Sequence, residues 1–199
     1  MRSFHALIVV FCAAAAAPGQ YTMEWVWQVS DTGNGDGVIQ PGEHAVLRLY
    51  AGMSGPSVVG YAGSIFDIIG AGNWDQGTIL VADLNENLCS LGICAGYRFP
   101  NNDIRWIDSF QLPPFFNPGF DASNPIWVYS IVWAPDDYSF KWVSGTTANH
   151  FNHSIYTDDF GTSVEATPNI NGFSFPVVPA PGSLVALVVC GLAAPRWRR

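Results

Sequence analysis

The feature that most limits the possible folds of this chain is its division into short segments in which apolar and polar residues alternate. The segment "MEWVWQVS" (23–30) would place Met23, Trp25 and Trp27 on one face of an extended strand. Alternation with a period of two residues is typical of a β-strand with one buried face. Similar segments lie at 45–53, 58–69, 78–84, 104–112, 126–134 and 138–143, with weaker ones at 162–167 and 172–178.

Clusters of Gly, Pro, Asn and Asp separate these segments, and long runs of helical period are missing. Short strands joined by turns are typical of an all-β fold. We therefore predict a single β-sandwich, jelly-roll or Ig-like, over residues 20–176. One helical turn is expected at "DLNENL" (83–88), and the polar stretch "TTANHFNHS" (146–154) is expected to be a loop.

The beginning of the chain has the composition of a secretory signal peptide. Arg2 precedes an apolar run that starts at about Ala6, and small residues follow up to Gly19. We predict that residues 1–19 are removed by cleavage before Gln20 and that the remainder is exported.

The end of the chain, residues 177–199, combines a Pro179-Ala180-Pro181 motif, an apolar run and the basic end "RWRR". The run is short, because a full span needs roughly 20 apolar residues, and the basic end favours the cytoplasmic side. The arrangement resembles the PEP-CTERM sorting signal of Gram-negative bacteria, with Ala180 in place of the usual Glu. The resemblance implies a short transmembrane sorting helix and an exosortase-type enzyme that cuts near the motif.

The same resemblance implies a location. The chain would be anchored in the inner membrane before processing, and then reach the cell surface or the extracellular matrix. A plain tail anchor is the alternative. "GYAGSIFDIIG" (60–70) and "NNDIRWIDSFQLPPFF" (101–116) also look similar to exported PEP-CTERM proteins of planctomycete-like bacteria, a similarity that implies no activity.

The part of the chain between the two ends is strongly acidic. All 16 Asp and Glu residues lie between Glu24 and Glu165, whereas only four of the 8 basic residues do, which gives 4 − 16 = −12. Such a charge repels nucleic acids and anionic membranes and attracts cations. The sequence therefore predicts no nucleic-acid partner.

The stretch "DTGNGDGVIQPGE" (31–43), called the acidic loop below, resembles a calcium-binding loop. With Gly37 as the sixth residue of an EF-hand pattern, Asp36 is the fifth and Glu43 the twelfth, while Asp31 stands one residue early. It is also similar to a D-G-D-G-x-x-x-P-G-E motif of bacterial surface β-sandwiches. The alternative is a Gly-rich turn without metal. The predicted calcium ligands are oxygen atoms of Asp31, Asn34, Asp36, Glu43 and the Val38 backbone carbonyl.

Two further pairs have spacings that suggest chemistry. Cys89 and Cys94 are the cysteines outside the two end segments, and in an exported protein they predict a small disulfide-closed loop. His150 and His153 would share a face on a helix and bind zinc there, but in a strand or loop they would diverge. We expect no zinc site.

Candidate functions follow from what remains. Nucleophile and phosphate-loop motifs are missing, and the adjacent acid pairs Asp136–Asp137 and Asp158–Asp159 are typical of solvated turns. We predict a non-enzymatic structural or interaction protein. One alternative is a calcium-dependent carbohydrate-binding module that contacts an extracellular polysaccharide through Trp74, in the turn-like "GAGNWDQG" (70–77). The other is a secreted hydrolase with an unrecognised site.

Overall fold

The computed structural model describes residues 21–89, 94 and 96–179, and these residues form two β-sheets packed face to face. The predicted signal peptide, the residues Ala180 and Pro181 of the sorting motif, and the predicted membrane run lie outside the described residues. The prediction of an all-β sandwich is confirmed. Within the described ranges, the structure contains no helix that is long and apolar enough to cross a membrane.

The first sheet has five strands in the order β10-β1-β2-β7-β4. The strands β1 and β10 pair in parallel, and the other strand pairs of this sheet are antiparallel. The bounds are β1 Thr22–Asp31, β2 Ala45–Ser54, β4 Gly77–Leu84, β7 Ile126–Pro135 and β10 Thr167–Ile170.

The second sheet has the order β11-β8-β3-β6-β5, with β9 paired to the end of β8. Its strands are antiparallel. The bounds are β3 Gly60–Ala71, β5 Tyr97–Arg98, β6 Ile104–Phe110, β8 Lys141–Tyr156, β9 Ser163–Glu165 and β11 Phe173–Val177. Two short 3-10 helices, Glu86–Leu88 and Pro114–Phe116, lie in the connections, and the first matches the expected helical turn.

The core lies between the two sheets and is rich in aromatic rings. Trp25 of β1 is fully buried, as the alternation predicts, and packs against Phe66 of β3 with ring centroids 5.0 Å apart. Trp133 of β7 packs in the same way against Phe175 of β11, at 5.5 Å. Rings from opposite sheets therefore meet throughout the interior, where burial of large aromatic side chains supplies much of the stability of a small domain.

The expected loop at residues 146–154 is wrong, because β8 continues through it to Tyr156. This strand pairs along most of its length with β3. Two of its polar side chains are buried inside the sandwich and hydrogen-bonded there: Thr147 Oγ1 accepts from Trp27 Nε1 at 3.2 Å, and His153 pairs with Ser64. Pairing and buried hydrogen bonds thus overcome a composition that is locally typical of loops.

Candidate functional site

The acidic loop is folded around the carboxylate of Asp31, the last residue of β1. One oxygen, Oδ1, accepts hydrogen bonds from the N–H groups of Gly33 at 2.7 Å and Gly35 at 2.9 Å, and Oδ2 accepts from Gly37 at 2.9 Å. Gly35 and Gly37 have φ values of 81° and 76°, a conformation that glycine adopts without cost. Burial raises the pKa of Asp31, but the three N–H donors together with Asp36 outweigh it and hold the pKa below its ordinary value.

The other predicted ligands are also engaged within the loop. The Asn34 side chain donates to Asp36 Oδ2 at 2.9 Å and accepts from the Asp36 N–H at 2.8 Å. Asp36 Oδ1 in turn accepts from the Val38 N–H at 2.8 Å. Glu43 Oε2 accepts from the Gln40 N–H at 3.1 Å. The loop is therefore a self-contained set of turns in which side-chain oxygens satisfy backbone donors.

A calcium ion would need several of these oxygens to converge on one point. The described residues contain no group of three or more His, Cys, Asp or Glu side chains placed to hold a metal ion. The Glu43 carboxylate does lie directly against Gly33, where an added Cβ would overlap with it. Calcium binding would thus require the loop to exchange backbone donors for the ion, and it stays a prediction.

The proposed glycan contact at Trp74 is wrong, because this residue is only 2% exposed. Its indole ring stacks on Trp133, with centroids 5.9 Å apart and planes 10° apart, and its Nε1 donates to the Asn102 carbonyl at 3.0 Å. Gly70 makes room for the ring, since a Cβ there would overlap with it. The segment around Trp74 therefore has the composition of a turn, but its tryptophan side chain is packed in the core.

The pairing of Ser64 with His153 brings together residue types used in nucleophilic catalysis. Ser64 Oγ lies 2.7 Å from His153 Nδ1, and both side chains are buried. His153 packs edge-on against Trp25, and its Nε2 has no hydrogen-bond partner among the described residues. Burial lowers the pKa of His153. The Ser64–His153 pair is therefore a buried hydrogen bond of the core in the described conformation.

The predicted disulfide between Cys89 and Cys94 is present, with Cα atoms 5.7 Å apart. It precedes the hairpin of β5 and β6. The Cys94 carbonyl accepts the Asp108 N–H of β6 at 3.0 Å. Gly96, with φ of 78°, lies so close to the Arg105 carbonyl oxygen that a Cβ would come within 2.8 Å of it. Cys94 and Gly96 therefore lie directly against β6.

Large aromatic side chains project into solvent from this hairpin. We call the set formed by Tyr97, Phe99, Arg105 and Trp106 the aromatic surface. Its three rings are 62%, 44% and 53% exposed, respectively. Tyr97 lies opposite Arg105 in the strand register, and the Arg105 guanidinium sits over the Phe99 ring, 5.4 Å from its centroid. Arg105 is thus a neighbour of both Tyr97 and Phe99, and Trp106 follows it in the chain.

Trp106 reaches this surface through a β-bulge. Ile104 and Ile107 both point into the core, so Arg105 and Trp106 between them both point outward. The register against β3 shifts at this place, opposite Asp67. Trp106 has φ of 59°, a conformation that costs a bulky residue roughly 1–3 kcal/mol. Its N–H donates to Asp67 Oδ1 at 2.8 Å, and Asp67 is buried.

The turn of the hairpin is tied to both sheets. The Asn102 side chain donates to the Trp74 carbonyl at 2.9 Å and to the Gly77 carbonyl at 2.7 Å. Asp103 accepts from the Gly70 N–H at 3.1 Å and forms a salt bridge with Arg105 at 3.0 Å. The aromatic surface therefore rests on a fixed backbone and is organised before any partner arrives.

An open groove of about 280 Å³ lies farther along the outer face of the second sheet, over β3, β6 and β8. We call it the outer groove. Its polar lining includes Asp108, Ser154 and Asn152, the last in a left-handed conformation with φ of 57°. Phe110 and Tyr156 are its aromatic lining residues. The aromatic surface and the outer groove are neighbours, because Arg105, Trp106, Asp108 and Phe110 follow one another along β6.

Sequence reasoning missed this surface because it treated residues 104–112 as a regular strand. One signal was present: Ile104 and Ile107 are three residues apart, so they cannot share a face of a regular strand. A bulge between them is the arrangement that buries both.

Comparison with known proteins adds little. No protein-family model matches the sequence, and no curated protein matches it. One similar solved structure is the sixth cohesin of scaffoldin B from Acetivibrio cellulolyticus, determined in complex with a mutant Cel5 dockerin. The two share 11% sequence identity over 77% of this chain and 96% of the cohesin chain, with a TM-score of 0.45. A likeness of this size says nothing about what this chain binds.

Proposed function

We propose that this chain is an exported, surface-directed binding module with a non-enzymatic role. The observation that carries the proposal is the aromatic surface. Trp, Tyr and Arg are enriched among the residues that dominate binding energy, and solvent-exposed aromatic patches are typical of interaction sites. The backbone of Trp106 has a left-handed conformation, and a hydrogen bond from its N–H to the buried Asp67 carboxylate holds it in place.

The two ends of the sequence support the surface location. The predicted signal peptide would bring the body outside the cytoplasm, and the predicted sorting signal at Pro179, Ala180 and Pro181 would hand it to an exosortase-type enzyme. The charge of −12 between Glu24 and Glu165 would keep the exported body away from nucleic acids and anionic membranes.

The hydrolase alternative receives less support, since one acid of each adjacent pair has a structural role. Asp137 forms a salt bridge with Lys141 at 2.8 Å. Asp158 Oδ1 accepts hydrogen bonds from the N–H groups of Phe160, Gly161 and Thr162. The hydrogen bonds from Thr162 are the main reason why the pKa of Asp158 is lowered. A general acid needs the opposite shift, a raised pKa. Calcium-dependent carbohydrate binding is the second candidate function. The exposed rings of the aromatic surface, rather than the buried Trp74, are the residues that would contact the carbohydrate.

Retention of the exported form, processed at the predicted sorting signal, on isolated cell envelopes of the encoding organism tests the proposal, because the predicted membrane run of the full chain would itself insert into the envelopes. The wild-type protein is expected to sediment with the envelopes, and Trp106→Ala is expected to remain in the supernatant. Trp142→Ala is the matched control, because Trp142 is 54% exposed on β8 but lies outside the aromatic surface. Equal sedimentation of the three proteins, or none of the wild type, would contradict a binding role for this surface.

A further inference from the structure

We propose that the aromatic surface and the outer groove together bind an extended neutral polysaccharide. This inference rests on the proposed binding function and adds the class of ligand. It is carried by a juxtaposition along β6, where the exposed Trp106 is followed by Asp108 and Phe110, which line a groove with hydroxyl, amide and carboxylate groups.

The rings suit the apolar faces of sugar residues. A pyranose ring carries C–H groups on its faces, which pack against aromatic rings, and hydroxyl groups around its rim, which need hydrogen-bond partners. Tyr97 and Trp106 present flat rings that are more than half exposed. The left-handed conformation of Trp106 keeps its side chain on the outer face, next to Arg105, and Asp67 fixes the backbone there. Little ordering entropy is then lost when a sugar stacks.

The outer groove supplies the polar partners. Asp108 is half-buried and can accept hydrogen bonds from two neighbouring hydroxyl groups of one sugar residue. Ser154 and Asn152 offer both donors and acceptors. Tyr156 already donates its hydroxyl to the Gln111 carbonyl at 3.0 Å, so its contribution is the ring and one acceptor position.

The shape and charge of the site select the kind of polysaccharide. From Arg105 to Phe110 the outward residues follow β6 for about 14 Å, because the bulge takes up one residue of the usual strand rise, and this length fits two or three sugar residues. The groove is open, so it fits internal residues of a chain rather than a buried chain end. The charge of −12 disfavours acidic polymers, and Arg105 is already paired with Asp103.

The test uses the full chain with suspensions of cellulose and chitin as neutral probes, and with polygalacturonate in an affinity gel as the acidic probe. Wild-type protein is expected to bind at least one neutral probe and not the acidic one. Trp106→Ala and Tyr97→Ala are each expected to bind about tenfold more weakly or worse. Trp106→Phe should recover part of the loss, and Trp142→Ala should bind like the wild type. Circular dichroism of each variant verifies that the fold is intact.

Several results would overturn the inference: no binding to either neutral probe, binding that Trp106→Ala and Tyr97→Ala leave unchanged, or stronger binding to polygalacturonate. If protease treatment of the envelopes abolishes retention of the chain, the partner of the aromatic surface is a protein and not a polysaccharide. The proposed binding function would still hold in that case. Release of new reducing ends from cellulose or chitin would instead contradict the non-enzymatic function itself, so the two failures can be told apart.

Discussion

Substitution of Asp31 by Ala tests the account of the acidic loop most sharply. The Asp31 carboxylate accepts three backbone N–H groups, at 2.7, 2.9 and 2.9 Å, and is 8% exposed. A hydrogen bond to a charged group contributes about 1.5–3 kcal/mol, but water can reach much of this loop and replace part of the loss. We therefore expect Asp31→Ala to lower the free energy of unfolding by about 2–4 kcal/mol. That loss corresponds to a drop in Tm of roughly 5–15 °C for a domain of this size.

Thermal melting at pH 7 and at lower pH provides the measurement. The folded pKa of Asp31 is held below 3.8, so its stabilising effect is complete above pH 3.8 and is lost as the pH falls through the folded pKa. The difference in stability between wild type and Asp31→Ala should shrink over that range. Asp36→Ala is the matched control, because the exposed Asp36 accepts a single backbone N–H, that of Val38. A Tm for Asp31→Ala within 2 °C of the wild type at pH 7, or a difference that does not change with pH, would mean that the Asp31 carboxylate does not stabilise the acidic loop.

Three further predictions concern the loop and the core. If calcium binds the acidic loop, a concentration about a hundredfold above Kd raises the free energy of unfolding by roughly 2.7 kcal/mol, and Glu43→Gln removes the increase; equal melting curves in calcium and EGTA would leave a metal-free turn. Burial lowers the pKa of His153, so stability should decline as the pH falls below 6.5, and His153→Phe should flatten that profile in pH-dependent urea unfolding; an unchanged slope would contradict it. Trp74→Ala should cost about 3–5 kcal/mol because the ring is fully packed, whereas Trp142→Ala should stay within about 0.5 kcal/mol. Similar losses for the two tryptophan variants would contradict the described burial.

Much of the fold could be predicted from the sequence, since alternating burial imposes a period of two that residues 23–30 display clearly. β1 extends only one residue beyond that segment at each end. For β8 the sequence predicted a strand only as far as Val143, because the polar residues that follow look like a loop until their partners are known. Ser64 and Trp27, which supply those partners, are distant in sequence.

The candidate site was harder to predict than the fold. For Trp74 and Trp106 the local sequence suggests the wrong degree of exposure. Trp74 lies among turn residues but is buried, and Trp106 lies in a strand but is exposed. Gly70 leaves the space that Trp74 fills, and the bulge opposite Asp67 turns Trp106 outward. Both effects depend on which strands become neighbours, and local composition does not specify that.

An exported binding module should have its body outside the membrane of the living cell. We would treat intact cells of the organism that encodes it with a protease and identify the released peptides by mass spectrometry. The account predicts peptides from residues 20–178 in the released fraction, with a mature end near Pro179. Recovery of these peptides only after the cells are lysed, with both end segments still attached, would contradict it.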